Sequence, residues 1–135
     1  FSYFYLPNKI MYWVRKIFVN KYGYGDIGDF SFSSVSQQEI IKIVEQSQVV
    51  LDINHPLQHG LTSRCIESLG ANRKLITTNK NIKDYDFYNE NNIRIINRKE
   101  PIVDLNFFDN IYIKPSKEIY KKYSLKSWLI SIFEH

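Results

Sequence analysis

The chain has 135 residues and a mass of 16.1 kDa, which suits one domain with a substantial core. Hydrophobic residues at 44% and charged residues at 24% exclude wholesale disorder. A net charge of +4 favours anionic partners without singling out nucleic acid, and the single Cys65 excludes an internal disulfide and points to a reducing compartment.

No apolar run reaches the roughly 18–20 residues that a membrane-spanning helix needs. The opening Phe1-Ser2-Tyr3-Phe4-Tyr5-Leu6 lacks the basic flank and cleavage site of a signal peptide, so a cytoplasmic location is expected. The first residue is Phe rather than Met, which suggests an excised part of a longer protein. No repeat and no low-complexity linker divides residues 1–135, and a single domain is the economical reading.

In chain order, Ser2 to Leu6 is short, aromatic and strand-like. From Lys9 to about Asn20, the spacing of Ile10, Val14, Ile17 and Phe18 predicts a helix with one buried stripe. Asp29 to Ser33 alternates Phe30 and Phe32 with small polar residues, as a strand does. Ser36-Gln37-Gln38-Glu39 is a capping box that opens a helix running to about Gln46, with Ile40, Ile41 and Val44 on one side.

Val49 to Ile53 is a near-continuous apolar run, expected for a strand covered on both faces. The loop Asn54-His55-Pro56-Leu57-Gln58-His59-Gly60 follows it, and a helix is expected from about Leu61 or Thr62 to Leu69. Gly70 is the candidate left-handed cap. Lys74 to Thr77 and Asn92 to Ile96 read as further buried strands, separated by a polar, tyrosine-rich stretch with one short helical turn. Ser116 can cap a helix toward Phe133, with a break near Tyr123-Ser124. Strands alternating with helices predict a parallel sheet with helices on both faces. Ligands in such sheets bind at the carboxyl ends of the strands, where strand order reverses.

Gly23-Tyr24-Gly25-Asp26-Ile27-Gly28 matches G-x-G-x-x-G, but a helical pattern precedes it and a strand follows. That is the reverse of the order a dinucleotide fingerprint requires, so the match reads as a turn. His55 and His59 lie in a loop broken by Pro56 and Gly60, and no carboxylate or cysteine cluster completes a metal site. Cys65 has no neighbouring base and reads as a small buried hydrophobe.

Gly60-Leu61-Thr62-Ser63-Arg64-Cys65-Ile66-Glu67 carries the most chemistry. A glycine ahead of a helix allows close backbone approach, and the first-turn amides make an anion site. Thr62 and Ser63 add hydroxyls, and Arg64 offers a planar fork for phosphate oxygens. Glu67 lies one turn further, where a carboxylate can accept from ribose hydroxyls. A capped helix with an Arg64–Glu67 surface pair accounts for the same residues equally well.

Val50-Leu51-Asp52-Ile53, His55-Pro56, Gln58, Gly60-Leu61-Thr62, Arg64, Glu67 and Lys74-Leu75-Ile76-Thr77-Thr78-Asn79 together resemble the carboxy-terminal half of bacterial polysaccharide and lipopolysaccharide glycosyltransferases of the two-domain type B fold. The resemblance spans about Ser33 to Asn97 and continues through Tyr85-Asp86-Phe87-Tyr88-Asn89. It implies a Rossmann-like three-layer α/β domain, with a mostly parallel sheet of about five strands. It also implies a nucleotide-sugar donor whose diphosphate rests on the Gly60 loop and the following helix. In that light Glu67 matches the family's ribose-binding carboxylate, while His59 stands where related retaining enzymes carry Glu, leaving the stereochemical outcome open. Gly60, Leu61, Thr62, Ser63, Arg64, Glu67, Thr77, Thr78 and Asn79 become the expected donor-binding residues. His59 and Arg64 become the expected catalytic ones, stabilising the departing diphosphate. No cofactor or metal is expected, and a saccharide or lipid-linked acceptor would be held by a missing N-terminal domain. The rival reading is a non-catalytic Rossmann-like interaction module.

Residues 116–133 form an amphipathic pattern, with Ile119, Tyr123, Trp128, Leu129, Ile132 and Phe133 apolar and Lys117, Lys121, Lys122 and Lys126 basic. Packing within the protein is the favoured reading. Peripheral contact with an anionic membrane is the alternative. Nucleic-acid binding is not expected, because the lysines are scattered rather than clustered among aromatics.

Overall fold

The computed structural model describes residues 4–5, 8–18 and 26–133 of the chain. It is a mixed α/β protein that divides into two compact units, residues 1–40 and 41–135.

The first unit contains β1 (Phe4–Tyr5), α1 (Lys9–Phe18) and β2 (Phe30–Ser31), with β1 and β2 paired in parallel. A short 3-10 turn, Ile27–Asp29, leads into β2, while Gly23 to Gly25 of the glycine motif lie outside the described residues. The burial expected for α1 is on the wrong face. Ile10, Val14 and Ile17 are exposed, and among the described side chains Tyr12 is the fully buried one, the Phe18 side chain lying outside them. The Tyr12 ring meets Phe30 edge-on at 5.4 Å between centroids. An edge-on aromatic pair of this kind favours burial of the Tyr12 side of the helix.

Helix α2 (Gln37–Gln46) crosses the division between the units. Its capping box forms as the sequence predicts. The Ser36 amide donates to Glu39 Oε2 at 2.9 Å, and the Glu39 amide donates to Ser36 Oγ at 3.3 Å.

The second unit is built on β3 (Val49–Asp52), β4 (Lys74–Thr77) and β5 (Ile93–Ile95), all parallel in the order β3-β4-β5. The expected sheet of about five strands is therefore three strands wide, because β1 and β2 pair with each other instead. Strand order runs straight through this sheet, and no reversal point occurs among the described residues. Only β4 is buried along its whole length. β3 is an edge strand, which leaves Leu51 at 61% exposure although its apolar run suggested cover on both faces.

The two-residue alternation of the strands sorts the core onto two faces. Leu75 and Ile93 point to one side, where they pack with Cys65 and Leu69 of α3 (Ser63–Gly70) and with Ile82 and Phe87. Ile76 points to the other and meets Ile96 and Phe107. Phe107 belongs to α4 (Asn106–Asp109), a single turn that the sequence pattern does not signal. The buried Lys74 reaches from β4 to cap it, donating to the carbonyls of Phe107 at 2.6 Å and Phe108 at 2.9 Å. A cation there answers the carbonyls that every helix end leaves unpaired.

Beyond β5, Asn92 fixes the returning chain by bonding both the carbonyl and the amide of Ile113, at 2.6 and 2.8 Å. The terminal helix is divided into α5 (Lys117–Lys122) and α6 (Leu125–Phe133) at the expected break. Ser116 caps α5 through the Ile119 amide, and Ser124 Oγ accepts from the Ser127 amide at the start of α6. Ile119, Tyr120 and Tyr123 pack on the core beside α3.

Asp86 fastens α5 from outside, accepting from Lys122 Nζ at 2.6 Å and Tyr123 Oη at 2.7 Å. These two bonds, the lysine's first, hold the Asp86 carboxyl below its usual value. Burial and then the bond to Asp86 push the Tyr123 phenol up. Burial, with Tyr120 adding to it, does the same to Tyr112.

Helix α3 ends in a Schellman motif, with the Arg73 amide on the Ser68 carbonyl and the Asn72 amide on the Leu69 carbonyl, at 2.9 and 3.2 Å. The left-handed residue is Asn72, at φ 54°, and not Gly70, which remains helical. Asparagine tolerates this backbone better than other side chains, and its Oδ1 accepts the Tyr120 hydroxyl.

Asn72→Ala is therefore expected to cost about 1–2 kcal/mol in urea denaturation, combining left-handed strain with the lost bond. Asn72→Gly, which relieves the strain, costs less. The pH dependence follows from the shifted groups. A lowered Asp86 value gives stability that is present above the ordinary carboxylate range and lost as pH falls through it. Raised Tyr112 and Tyr123 values give stability that is lost as pH climbs past the ordinary tyrosine value of about 10. Denaturation midpoints measured across pH should fall on both sides of a plateau, and Asp86→Asn should flatten the acid side.

Candidate functional site at the carboxyl ends of the parallel strands

The loop of residues 53–62 leaves the carboxyl end of β3 and enters α3, beside the segment that leaves β4. Parallel pairing brings Asp52 level with Thr77, so the two strands end side by side. A buried polar cluster joins them there. Asp52 accepts from Thr77 Oγ1 at 3.0 Å and from Cys65 Sγ at 3.6 Å. Cys65 and Thr62 also contact each other at 3.4 Å. Burial, partly offset by Thr62 and reinforced by Asp52, raises the Cys65 thiol, which fits an inert core residue better than a nucleophile.

Three asparagines shape the loop around this cluster. Asn79 Nδ2 donates to the Gly60 carbonyl at 3.0 Å, and its Oδ1 accepts the Asn81 amide at 3.0 Å. Asn81 Nδ2 donates to the His59 carbonyl at 3.1 Å. Asn54 Nδ2 binds the carbonyls of His55 and Gln58, and its Oδ1 accepts the Thr78 hydroxyl at 2.5 Å. Arg98 donates to the Asn54 carbonyl from beyond β5. His55 Nδ1 accepts the Leu57 amide at 3.3 Å, closing the turn from His55 to Gln58.

These bonds have a consequence for the opposite side of the backbone. In a trans peptide the N–H points away from the preceding carbonyl, and the described residues contain no cis bond. Holding the His59 and Gly60 carbonyls toward the asparagines therefore directs the Gly60 and Leu61 amides away from them. Gly60 is exposed, and a side chain there would meet nothing within 4 Å, so the space beside it is open.

The residues singled out in the sequence separate into two groups. His59, Gly60, Ser63, Arg64 and Glu67 lie toward solvent, with Leu61 and Thr62 half-buried, along one continuous loop and helix start. Arg64 and Glu67 pair with each other at 3.1 Å, each side chain 46% exposed. Thr77 and Asn79 are inside, at 0% and 2% exposure. Together with Thr78 they direct their side chains to Asp52, Asn54 and the Gly60 carbonyl. In this arrangement their side chains are engaged within the protein and position the loop.

Asn54, Asn81 and Arg98 are functional candidates that the sequence pattern does not single out. Asn79-Lys80-Asn81 directly after a buried strand does carry a local signal, since asparagine side chains cap turns two residues on. The 3-10 turn Lys80–Asp84 is capped in that way. The bonds to the 53–62 loop have no local signal, because they link residues about twenty positions apart. Among the described residues no group of three or more His, Cys, Asp or Glu gathers as a metal site.

Asn79→Ala should cost about 2–3 kcal/mol in urea denaturation, because it removes a turn cap and leaves the Gly60 carbonyl without its donor. Hydrogen exchange at the amides of residues 59–62 should quicken in the same variant. Cys65 should react with thiol reagents far more slowly in the folded chain than in the unfolded one. Comparison of the chain with protein-family models, with curated proteins and with solved structures finds no match.

Proposed function

We propose that this chain is the Rossmann-like donor-binding half of a glycosyltransferase acting in surface polysaccharide or lipopolysaccharide synthesis. The observation that carries the reading is the asparagine-held loop, whose Gly60 and Leu61 amides point away from the asparagines that hold it, beside the start of α3. Oriented backbone amides and a helix amino end suit a diphosphate. Ser63 and Arg64, exposed in the first turn, add a hydroxyl and a guanidinium.

The Arg64–Glu67 pair does not obstruct this role. An exposed ion pair is worth about 0.2–1 kcal/mol, less than a charge-assisted bond to phosphate, so the guanidinium can change partners. Release from Arg64 also frees the Glu67 carboxylate to accept from ribose hydroxyls. As the glycosyl–phosphate bond breaks, charge accumulates on the departing diphosphate. Amides and Arg64 fixed nearby stabilise that charge more than the bound substrate, which lowers the barrier. In this reading His59, exposed on the same loop, adds a hydrogen bond. The acceptor and its activating base would belong to a further domain, so the chain alone binds donor and transfers little.

Uridine, guanosine or cytidine diphosphate should raise the melting temperature of the chain, and Arg64→Ala and Glu67→Ala should remove most of the rise. No shift with any of these nucleotides, at millimolar ligand and low salt, contradicts the proposal. The rival, a non-catalytic interaction module, draws on the exposed apolar residues of α1 and α6. It requires concentration-dependent association and indifference to nucleotides.

A further inference from the structure

The two terminal helices of the second unit behave differently. α5 packs onto the core through Ile119, Tyr120 and Tyr123. α6 buries no residue, and Leu125, Trp128, Leu129, Ile132 and Phe133 are between 41% and 81% exposed. Their spacing of three and four places them along one side of the helix. Ser127, off that stripe, ties α6 back to the end of α5, its hydroxyl donating to the Lys121 carbonyl at 2.6 Å. The apolar stripe is thus presented outward on a fixed mount.

Charge is concentrated around it. Residues 114–135 hold Lys114, Lys117, Lys121, Lys122 and Lys126 against Glu118 and Glu134, a surplus of three, with Lys122 paired to Asp86. The whole chain carries +4, so three of its four excess charges belong to the terminal segment that carries this helix. An apolar partner would not call for such a surplus, and a second copy of the same face would bring like charges together. A surface with an apolar interior and an anionic skin satisfies both halves of the pattern.

We infer that α6 docks on an anionic phospholipid bilayer, its Trp128–Phe133 stripe entering the headgroup boundary and the flanking lysines meeting lipid phosphates. At nine residues the helix is about 14 Å long, against a hydrocarbon core of about 30 Å, so it lies on the membrane and does not cross it. No helix among the described residues is long and apolar enough to cross. The inference is independent of the proposed donor site.

The test is co-sedimentation of the full chain with vesicles of phosphatidylcholine alone and of phosphatidylcholine mixed with phosphatidylglycerol. Binding to the mixed vesicles only, weakening as salt is raised, is the expected result. Trp128→Ser combined with Ile132→Ser should lower the partition coefficient about tenfold or more. Lys121→Gln and Lys126→Gln should each lower it about fivefold. These positions are not in the core, so thermal unfolding followed by circular dichroism should match the parent chain and exclude misfolding as the cause. Equal binding to both vesicle types, binding to neither, or parental binding by the α6 variants would overturn the inference. So would a dimer in solution that the α6 variants dissolve while vesicle binding is absent.

Discussion

The organisation of the second unit depends on how the ends of β3 and β4 are joined. Asp52 receives the Thr77 hydroxyl and the Cys65 thiol where little water reaches, so the three residues are fixed together at the mouth of the sheet. A buried carboxylate is tolerated only when it is hydrogen-bonded. That requirement holds the first helical turn of α3 against the strands. One step further out, Asn79 takes the Gly60 carbonyl and Asn54 takes those of His55 and Gln58. The loop is thereby defined by side chains that contact its carbonyl side, and the amides of Gly60 and Leu61 face away from those side chains.

This arrangement separates positioning from contact. Buried threonine and asparagine residues determine the backbone path, and the exposed Ser63, Arg64 and His59 supply groups that can meet an anion. A binding surface made largely of backbone amides needs such support, because it works only when its donors are held before the ligand arrives. In the proposed donor role the weak Arg64–Glu67 pair would exchange partners at little cost.

Much of the local architecture is legible in the sequence. The Ser36 and Ser116 caps, the break at Tyr123-Ser124 and the strand over Lys74 to Thr77 follow from neighbouring residues, and each forms as expected. Sheet membership does not follow in this way. β1 and β2 have strand-like patterns, but their pairing is decided between segments about 26 residues apart. Helix α1 buries Tyr12, which meets Phe30 edge-on, while Ile10, Val14 and Ile17 of its aliphatic stripe are exposed. Asn72 displaces Gly70 as the left-handed cap because a distant hydroxyl, that of Tyr120, meets its side chain. Within the candidate site the exposed residues are legible from the residue types around Gly60 together with the family resemblance. The supporting role of Asn79 and Asn81 is not, since their acceptors lie on another loop.

If the Gly60 and Leu61 amides are held outward as donors for a diphosphate, they should respond to one directly. Nitrogen-15 NMR during titration with inorganic pyrophosphate reads this residue by residue. Progressive, saturable shifts are expected, largest at the amides of Gly60, Leu61, Ser63 and Arg64, and smaller in Asn79→Ala. Unchanged signals at those positions up to millimolar pyrophosphate, or shifts confined to scattered lysine-bearing segments, would contradict the outward-facing donor loop.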